Sequence, residues 1–166
     1  LWMGSANPAS VGRIRDDKLQ RYDTGLEGLE AVTAVVEDGR GTVWAIVAWD
    51  LYRWDENRWH RVTLPWKSRV GQVRHVFVSR TGTLWVGTRW GVFEQVAGTT
   101  GFRIVSDEHV WGIDEDSKGH IWTTDIAAGF RRLGAANPPT HTLEAAGYRL
   151  MHDRQDVGDD EETEQR

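Results

Sequence analysis

Cysteine is absent from these 166 residues, methionine occurs twice and proline four times. Without cysteine there is no disulfide framework, no thiolate nucleophile and no cysteine-ligated metal. No run approaches the roughly 18 apolar residues needed to span a bilayer, and no secretory leader is recognisable. An excess of positive charge is also missing. The net charge is −5, and seven acidic against two basic residues between His152 and Arg166 account for it. The remainder holds 18 residues of each sign, which argues against the electrostatic footprint of a nucleic-acid binder. Proline poverty and a 39% hydrophobic content leave a globular chain long enough to bury a sizeable core.

What the chain has instead is tryptophan, ten in all, together with 18 glycines. Three of the tryptophans close the same phrase: Asp38-Gly39-Arg40-Gly41-Thr42-Val43-Trp44, Ser79-Arg80-Thr81-Gly82-Thr83-Leu84-Trp85, and Asp116-Ser117-Lys118-Gly119-His120-Ile121-Trp122. The tryptophans stand 41 and then 37 residues apart. Self-similarity at such a period names an architecture of repeated supersecondary units. It also implies that the repeated residues build the fold, and that function lies where the copies differ.

Each copy divides into four short strands. Val73–Val78 is a β-branched and aromatic run, Ser79–Gly82 a polar turn, and Thr83–Thr88 a second strand. Gly91–Val96 and Gly101–Val105 supply the third and fourth. One neighbouring copy runs Val32–Val36, Val43–Val47, Leu51–Trp54 and Arg58–Leu64. The other runs Val110–Ile113, His120–Thr124, Gly129–Leu133 and Thr140–Leu143. Four antiparallel strands per unit of about 40 residues is a β-propeller blade. The repeated tryptophan falls on the second strand, where a large flat side chain fills the wedge between neighbouring sheets.

The expected fold is therefore all-β, a partial propeller of about three to four blades of four-stranded antiparallel sheets. A partial leading blade occupies 1–30, because Leu1-Trp2-Met3-Gly4-Ser5 matches Leu84-Trp85-Val86-Gly87-Thr88 and Lys18–Tyr22 supplies its outer strand. Blades follow at 31–71, 72–108 and 109–146. Residues 147–166 read as an aborted blade and an acidic tail. Aligning Asp153 with Asp116 puts Asp156 in the glycine position and Asp159 in the tryptophan position, so Asp156–Glu164 is expected to be disordered. The chain reads as a fragment, with open sheet edges that predict self-association.

The wording of these copies resembles the two-component regulator propeller repeat. Val110–Trp122 followed by Gly129-Phe130 reproduces that family's apolar strand, acidic pair, glycine turn and tryptophan, and Leu84-Trp85-Val86-Gly87-Thr88 matches its second strand. Leu51-Tyr52 matches the end of the phrase, and the resemblance covers roughly residues 1–155. Three departures stand out: Asp50 replaces the blade glycine, Ser79 replaces the turn aspartate, and the last repeat collapses. The resemblance implies the sensor region of a hybrid two-component histidine kinase, outside the cytoplasmic membrane of a bacterium, recognising a small molecule or glycan. Its localisation would be periplasmic or extracytoplasmic, and membrane contact would come only through parent segments outside this chain. WD40 and kelch signatures are missing. A sialidase Asp-box sets its aspartate two residues before the glycine, whereas here the polar residue stands three before it, which counts against glycosidase kinship.

Loops joining second to third strands, and fourth strands to the next blade, are expected on one face. They carry the candidate ligand-binding residues Trp49, Asp50, Trp66, Arg89, Trp90, His109 and Asp125. Exposed aromatics beside arginine and aspartate suit a planar or sugar-like ligand, through stacking and directed hydrogen bonds. The competing reading is that these tryptophans pack against the adjoining blade. The six histidines show no metal-ligand spacing, and Asp114-Glu115-Asp116 reads as a strand end and turn rather than a calcium site. No catalytic constellation, metal site or cofactor is expected. The functional expectation is a non-enzymatic sensor fragment with a small-molecule or glycan partner and no nucleic acid. The alternatives are a propeller enzyme such as a lyase, or a protein-interaction scaffold.

Overall fold

The computed structural model describes residues 1–65, 72–125 and 129–134. The predicted strand Thr140–Leu143, the aborted blade and the acidic tail lie outside them. Every regular element among the described residues is a β-strand: β1 Trp2–Ser5, β2 Ser10–Arg15, β3 Lys18–Arg21, β4 Val32–Glu37, β5 Val43–Val47, β6 Asp50–Asp55, β7 Arg58–Val62, β8 Val73–Val78, β9 Leu84–Thr88, β10 Gly91–Gln95, β11 Phe102–Ser106, β12 Gly112–Glu115, β13 Ile121–Asp125 and β14 Gly129–Arg132. They form four antiparallel sheets in simple meander order: β1-β2-β3, β4-β5-β6-β7, β8-β9-β10-β11 and β12-β13-β14. The chain is a partial β-propeller, as the repeat predicts. The strand β2 was not anticipated, and it joins the two strands that were.

Alternation along β5 shows how the wedge is filled. Val43, Ala45 and Val47 face back onto Val11, Leu26 and Trp59. Trp44 and Ile46 face forward onto Val73, Val76, Leu84, Val86 and Phe93. Period-two alternation thus makes one strand contribute to two cores, and β5 is buried throughout. Trp44 has no exposed surface. Its ring meets Phe102 of the next sheet edge-on, with centroids 5.5 Å apart. The third core is smaller, with Val92, Val110 and Ile113 buried and Trp85 and Phe77 packed against them. Between the first two sheets an aromatic chain runs Trp2–Tyr22–Trp54–Trp59, with centroid steps of 5.0, 5.1 and 5.4 Å.

The repeated phrase is a turn closed by its own carboxylate. Asp38 Oδ1 accepts from the amides of Arg40 and Thr42 at 2.9 and 3.0 Å, and Oδ2 accepts from the Trp44 indole at 3.0 Å. Asp116 repeats this with Lys118 and His120 amides at 2.8 and 3.0 Å and the Trp122 indole at 2.9 Å. The spacing follows: the carboxylate reaches amides two and four residues on, and the indole six residues on. Burial pushes the Asp38 carboxyl up, but hydrogen bonds from Trp44, Arg40, Thr42 and Gln95 outweigh it and hold it below the usual carboxylate range. The Trp122 indole leads the hydrogen bonds that hold Asp116 low as well, against a smaller opposing desolvation.

The same turns tie neighbouring sheets at one rim. The Gly39 amide donates to the Gly82 carbonyl at 2.9 Å. A Cβ on Gly39 would lie 2.6 Å from the Gly82 Cα, so only glycine permits this approach. The Arg80 amide donates to Glu115 at 2.7 Å, and the Trp2 indole to Glu37 at 2.8 Å. Gln95 of the third sheet reaches Asp38 of the second at 3.2 Å.

Candidate functional site

The opposite rim carries the β5–β6 and β9–β10 turns and the chain entering β8 and β12. Between β5 and β6 the two-residue turn Ala48-Trp49 has φ of 48° and 71°. Left-handed geometry at both positions matches the twist of the flanking strands. It costs a bulky residue such as tryptophan about 1 kcal/mol. Trp49 is nonetheless 54% exposed. The β9–β10 turn, Arg89-Trp90, solves the same problem differently: Gly91 takes φ 150°, and the Thr88 hydroxyl accepts from the Trp90 amide at 3.0 Å. The departure at Asp50 follows from this, since the turn ahead of it needs no glycine at that position.

Three sheets meet at this rim through one side chain. The Arg74 guanidinium carbon lies 5.0 Å from the Trp49 ring centroid and 4.4 Å from that of Trp111. Both distances are within cation–π range. The His109 ring stands 5.4 Å from Trp111. Backbone hydrogen bonds fix the frame: Val73 to the Trp49 carbonyl at 2.8 Å, Arg89 to the Gln72 carbonyl at 3.2 Å, and Trp111 to the Thr124 carbonyl at 2.8 Å. Arg74 reaches its place because β8 carries a bulge. Val73 pairs with Thr88 and His75 with Gly87, so Arg74 is the extra residue between them. The Arg74 Nε and the Gln72 Oε1 are both buried without a hydrogen-bond partner.

The sequence-predicted residues fall into three groups. Trp49 and His109 join the Arg74 cluster. Arg89 and Trp90 stack on each other within their turn, 5.2 Å from guanidinium carbon to ring centroid. Asp50 instead binds Arg61 of β7 at 2.9 Å, on its own sheet. Trp66 lies outside the described residues. Asp125 closes β13 with its backbone opposite Gly129, and its side chain lies outside the described residues.

Arg74 and Trp111 were not anticipated. Both sit in runs that read as plain strand. The run from Val110 to Ile113 does not begin β12: the Val110 amide bonds to the Thr88 carbonyl of the preceding sheet at 3.2 Å, and β12 starts at Gly112. Three adjacent carboxylates nearby are absorbed by the protein itself. Asp114 accepts from the Glu115 amide, Glu115 accepts from Arg80, and Asp116 closes its turn. Among the described residues no group of three metal-ligating side chains gathers.

A concavity of about 480 Å³ opens beside the fourth sheet and is lined by His75 of β8 and by Ile113, Trp122, Thr124 and Phe130 among others. Trp122 holds there the position that Trp44 holds between the second and third sheets. Among the described residues nothing covers it.

The class of fold is that of a propeller segment, and solved structures agree. No family model and no curated protein matches the chain in sequence. The extracellular domain of the putative hybrid two-component system BT4673 from B. thetaiotaomicron superposes with a TM-score of 0.66 at 16% identity, over 83% of this chain and 20% of that one. The corresponding domain of BT3049 gives 0.60 at 18% identity, over 80% and 18%. Virginiamycin B lyase from Staphylococcus aureus gives 0.60 at 14% identity, over 79% and 47%. The chain thus spans about a fifth of the two extracellular domains it resembles and under half of the lyase. At these identities the likeness is one of fold.

Proposed function

We propose that this chain is the ligand-recognising part of an extracytoplasmic sensor propeller. It binds a small molecule or glycan at the rim bearing Trp49, Arg74 and Trp111, and signals to a membrane histidine kinase beyond these residues. The observation that carries the reading is the Trp49–Arg74–Trp111 stack. It draws one side chain from each of three consecutive sheets, so a molecule seated on it touches all three at once. Exposed indole faces suit the apolar faces of sugar or planar rings. Likeness to extracellular domains of two-component systems supports the compartment and the signalling role.

The lyase likeness favours a second reading, in which His109 beside Trp111 serves a reaction on the bound molecule. A glycan array and a metabolite panel screened by tryptophan fluorescence separate the two. The sensor reading expects saturable binding that falls at least tenfold in Trp49→Ala and Trp111→Ala, with the melting transition kept and no product formed. Turnover that is lost in His109→Ala would establish the enzyme instead. Binding untouched by both tryptophan substitutions would defeat the proposed rim.

A further inference from the structure

Arginine side chains across the described residues are mostly neutralised. Arg13, Arg21, Arg40, Arg53, Arg61, Arg80, Arg103 and Arg131 each face a carboxylate. Arg58, Arg74, Arg89 and Arg132 make no ion pair among the described residues. Of these, Arg74 and Arg89 are the two that lie against indole rings. Two described carboxylates of this rim are paired with other arginines, Asp50 with Arg61 and Glu108 with Arg131. Asp107 makes no ion pair with either Arg74 or Arg89.

Arg74 is the more telling of the two. Its Nε is buried with no partner, although a charged donor removed from water without an acceptor is costly. Sandwiching between two indoles holds the guanidinium plane and strips water from its faces, which leaves its edge as the place where the charge can be met. Guanidinium edges bind carboxylate, sulfate and phosphate oxygens through paired N–H donors. The flanking ring of Trp49, exposed beside this edge and held there by a left-handed backbone, offers a platform for the ring that bears the anion.

We infer that the rim selects an anionic ring ligand, a sugar or planar ring bearing a carboxylate or sulfate, with the anion on Arg74 and the ring against Trp49. The inference rests on the binding reading above and narrows its ligand. Arg89 supplies the second cation of the rim.

The test uses the full chain and four probes, read by tryptophan fluorescence and calorimetry: an oligogalacturonate, a sulfated galactose oligosaccharide, the neutral galactose oligosaccharide of equal length, and inorganic sulfate. At least tenfold tighter binding of one or both charged oligosaccharides than of the neutral one is expected. The preference should weaken as sodium chloride rises and vanish in Arg74→Gln. It should persist in Arg15→Gln, which removes an exposed cation from β2. Circular dichroism of Arg74→Gln checks that the fold survives. Arg74→Lys, which keeps charge but loses the planar fork, should retain only part of the preference. The two charged oligosaccharides distinguish carboxylate from sulfate. Equal affinity for neutral and charged oligosaccharides overturns the inference and leaves the binding reading standing. Inorganic sulfate binding as tightly as the sulfated oligosaccharide overturns the ring platform. Binding of no probe overturns the inference, while the array and panel above decide its parent reading.

Discussion

Asp38 and Ser79 occupy the same place in the repeat and show what one carboxylate contributes. Asp38 gathers two turn amides, its own indole and Gln95 of the next sheet. Ser79 is too short to reach its indole. Its hydroxyl engages Thr81 and the Thr83 amide, and the Trp85 Nε1 stays buried without a partner. Ser79→Asp should therefore stabilise the chain by about 1 kcal/mol, read as a Tm rise of roughly 2–4 °C. A lowered Tm would show that burying a carboxylate there outweighs the bonds gained from the Thr81 amide and the Trp85 indole. Asp38→Asn tests the other copy. The folded-state pKa of Asp38 lies below its unfolded value of 3.8, so the folded chain binds fewer protons in that range. The stability this supplies is fully present above about pH 4 and is lost as pH falls through the lower folded value. Thermal melts from pH 6 down to 2.5 should show a shallower acid loss in Asp38→Asn, from a starting point about 1–3 kcal/mol less stable. A slope equal to that of the parent would remove Asp38 from the account.

At the scale of the element, the strands were legible in the sequence because their signals are local. Alternation along Val43–Val47, the glycine turns and the indole six residues on are each set within one hairpin. The rim was legible only in part, for the same reason. Trp49 stands out because it interrupts a turn. Arg74 is placed by a bulge in β8, and Trp111 by a hydrogen-bonding partner in the next sheet, and neither leaves a mark in its own run. Glycine shows the same division between local and tertiary causes. Gly39 and Gly98 are both turn glycines, yet a Cβ on Gly39 would meet the Gly82 backbone at 2.6 Å, whereas nothing lies within 4 Å of one on Gly98. Gly98→Ala bears only the cost of its φ of 75°, about 1 kcal/mol. Gly39→Ala, with ordinary φ, should cost more, on the order of 1–3 kcal/mol from overpacking. Urea melts of the pair decide it. The reverse ranking would mean that the two turns part without penalty.

For the whole molecule, stability is a sum over sheet-to-sheet interfaces, and these are unequal. The second and third sheets bury Trp44, Phe93 and six further hydrophobic residues between them, whereas the third and fourth bury three. Truncating Trp44 to alanine should be among the costliest changes, about 3–5 kcal/mol. The outward face of the fourth sheet leaves Phe130 43% exposed beside Trp122. An apolar face of that kind seeks a neighbour. Sedimentation over a dilution series should find concentration-dependent self-association of the 166-residue chain, weakened by Phe130→Asp. A monodisperse species at all concentrations would contradict this.

The bond from the Gly39 amide to the Gly82 carbonyl is made between sheets, by a backbone group at an exposed rim. Its deuterium uptake therefore reports a quantity that strand amides do not. Amides inside a hairpin exchange when that hairpin frays, but this one is released when two neighbouring sheets separate at the rim. A single backbone proton, followed with and without ligand on the far side of the molecule, gives the chain a built-in gauge of whether occupancy of one rim is felt at the other.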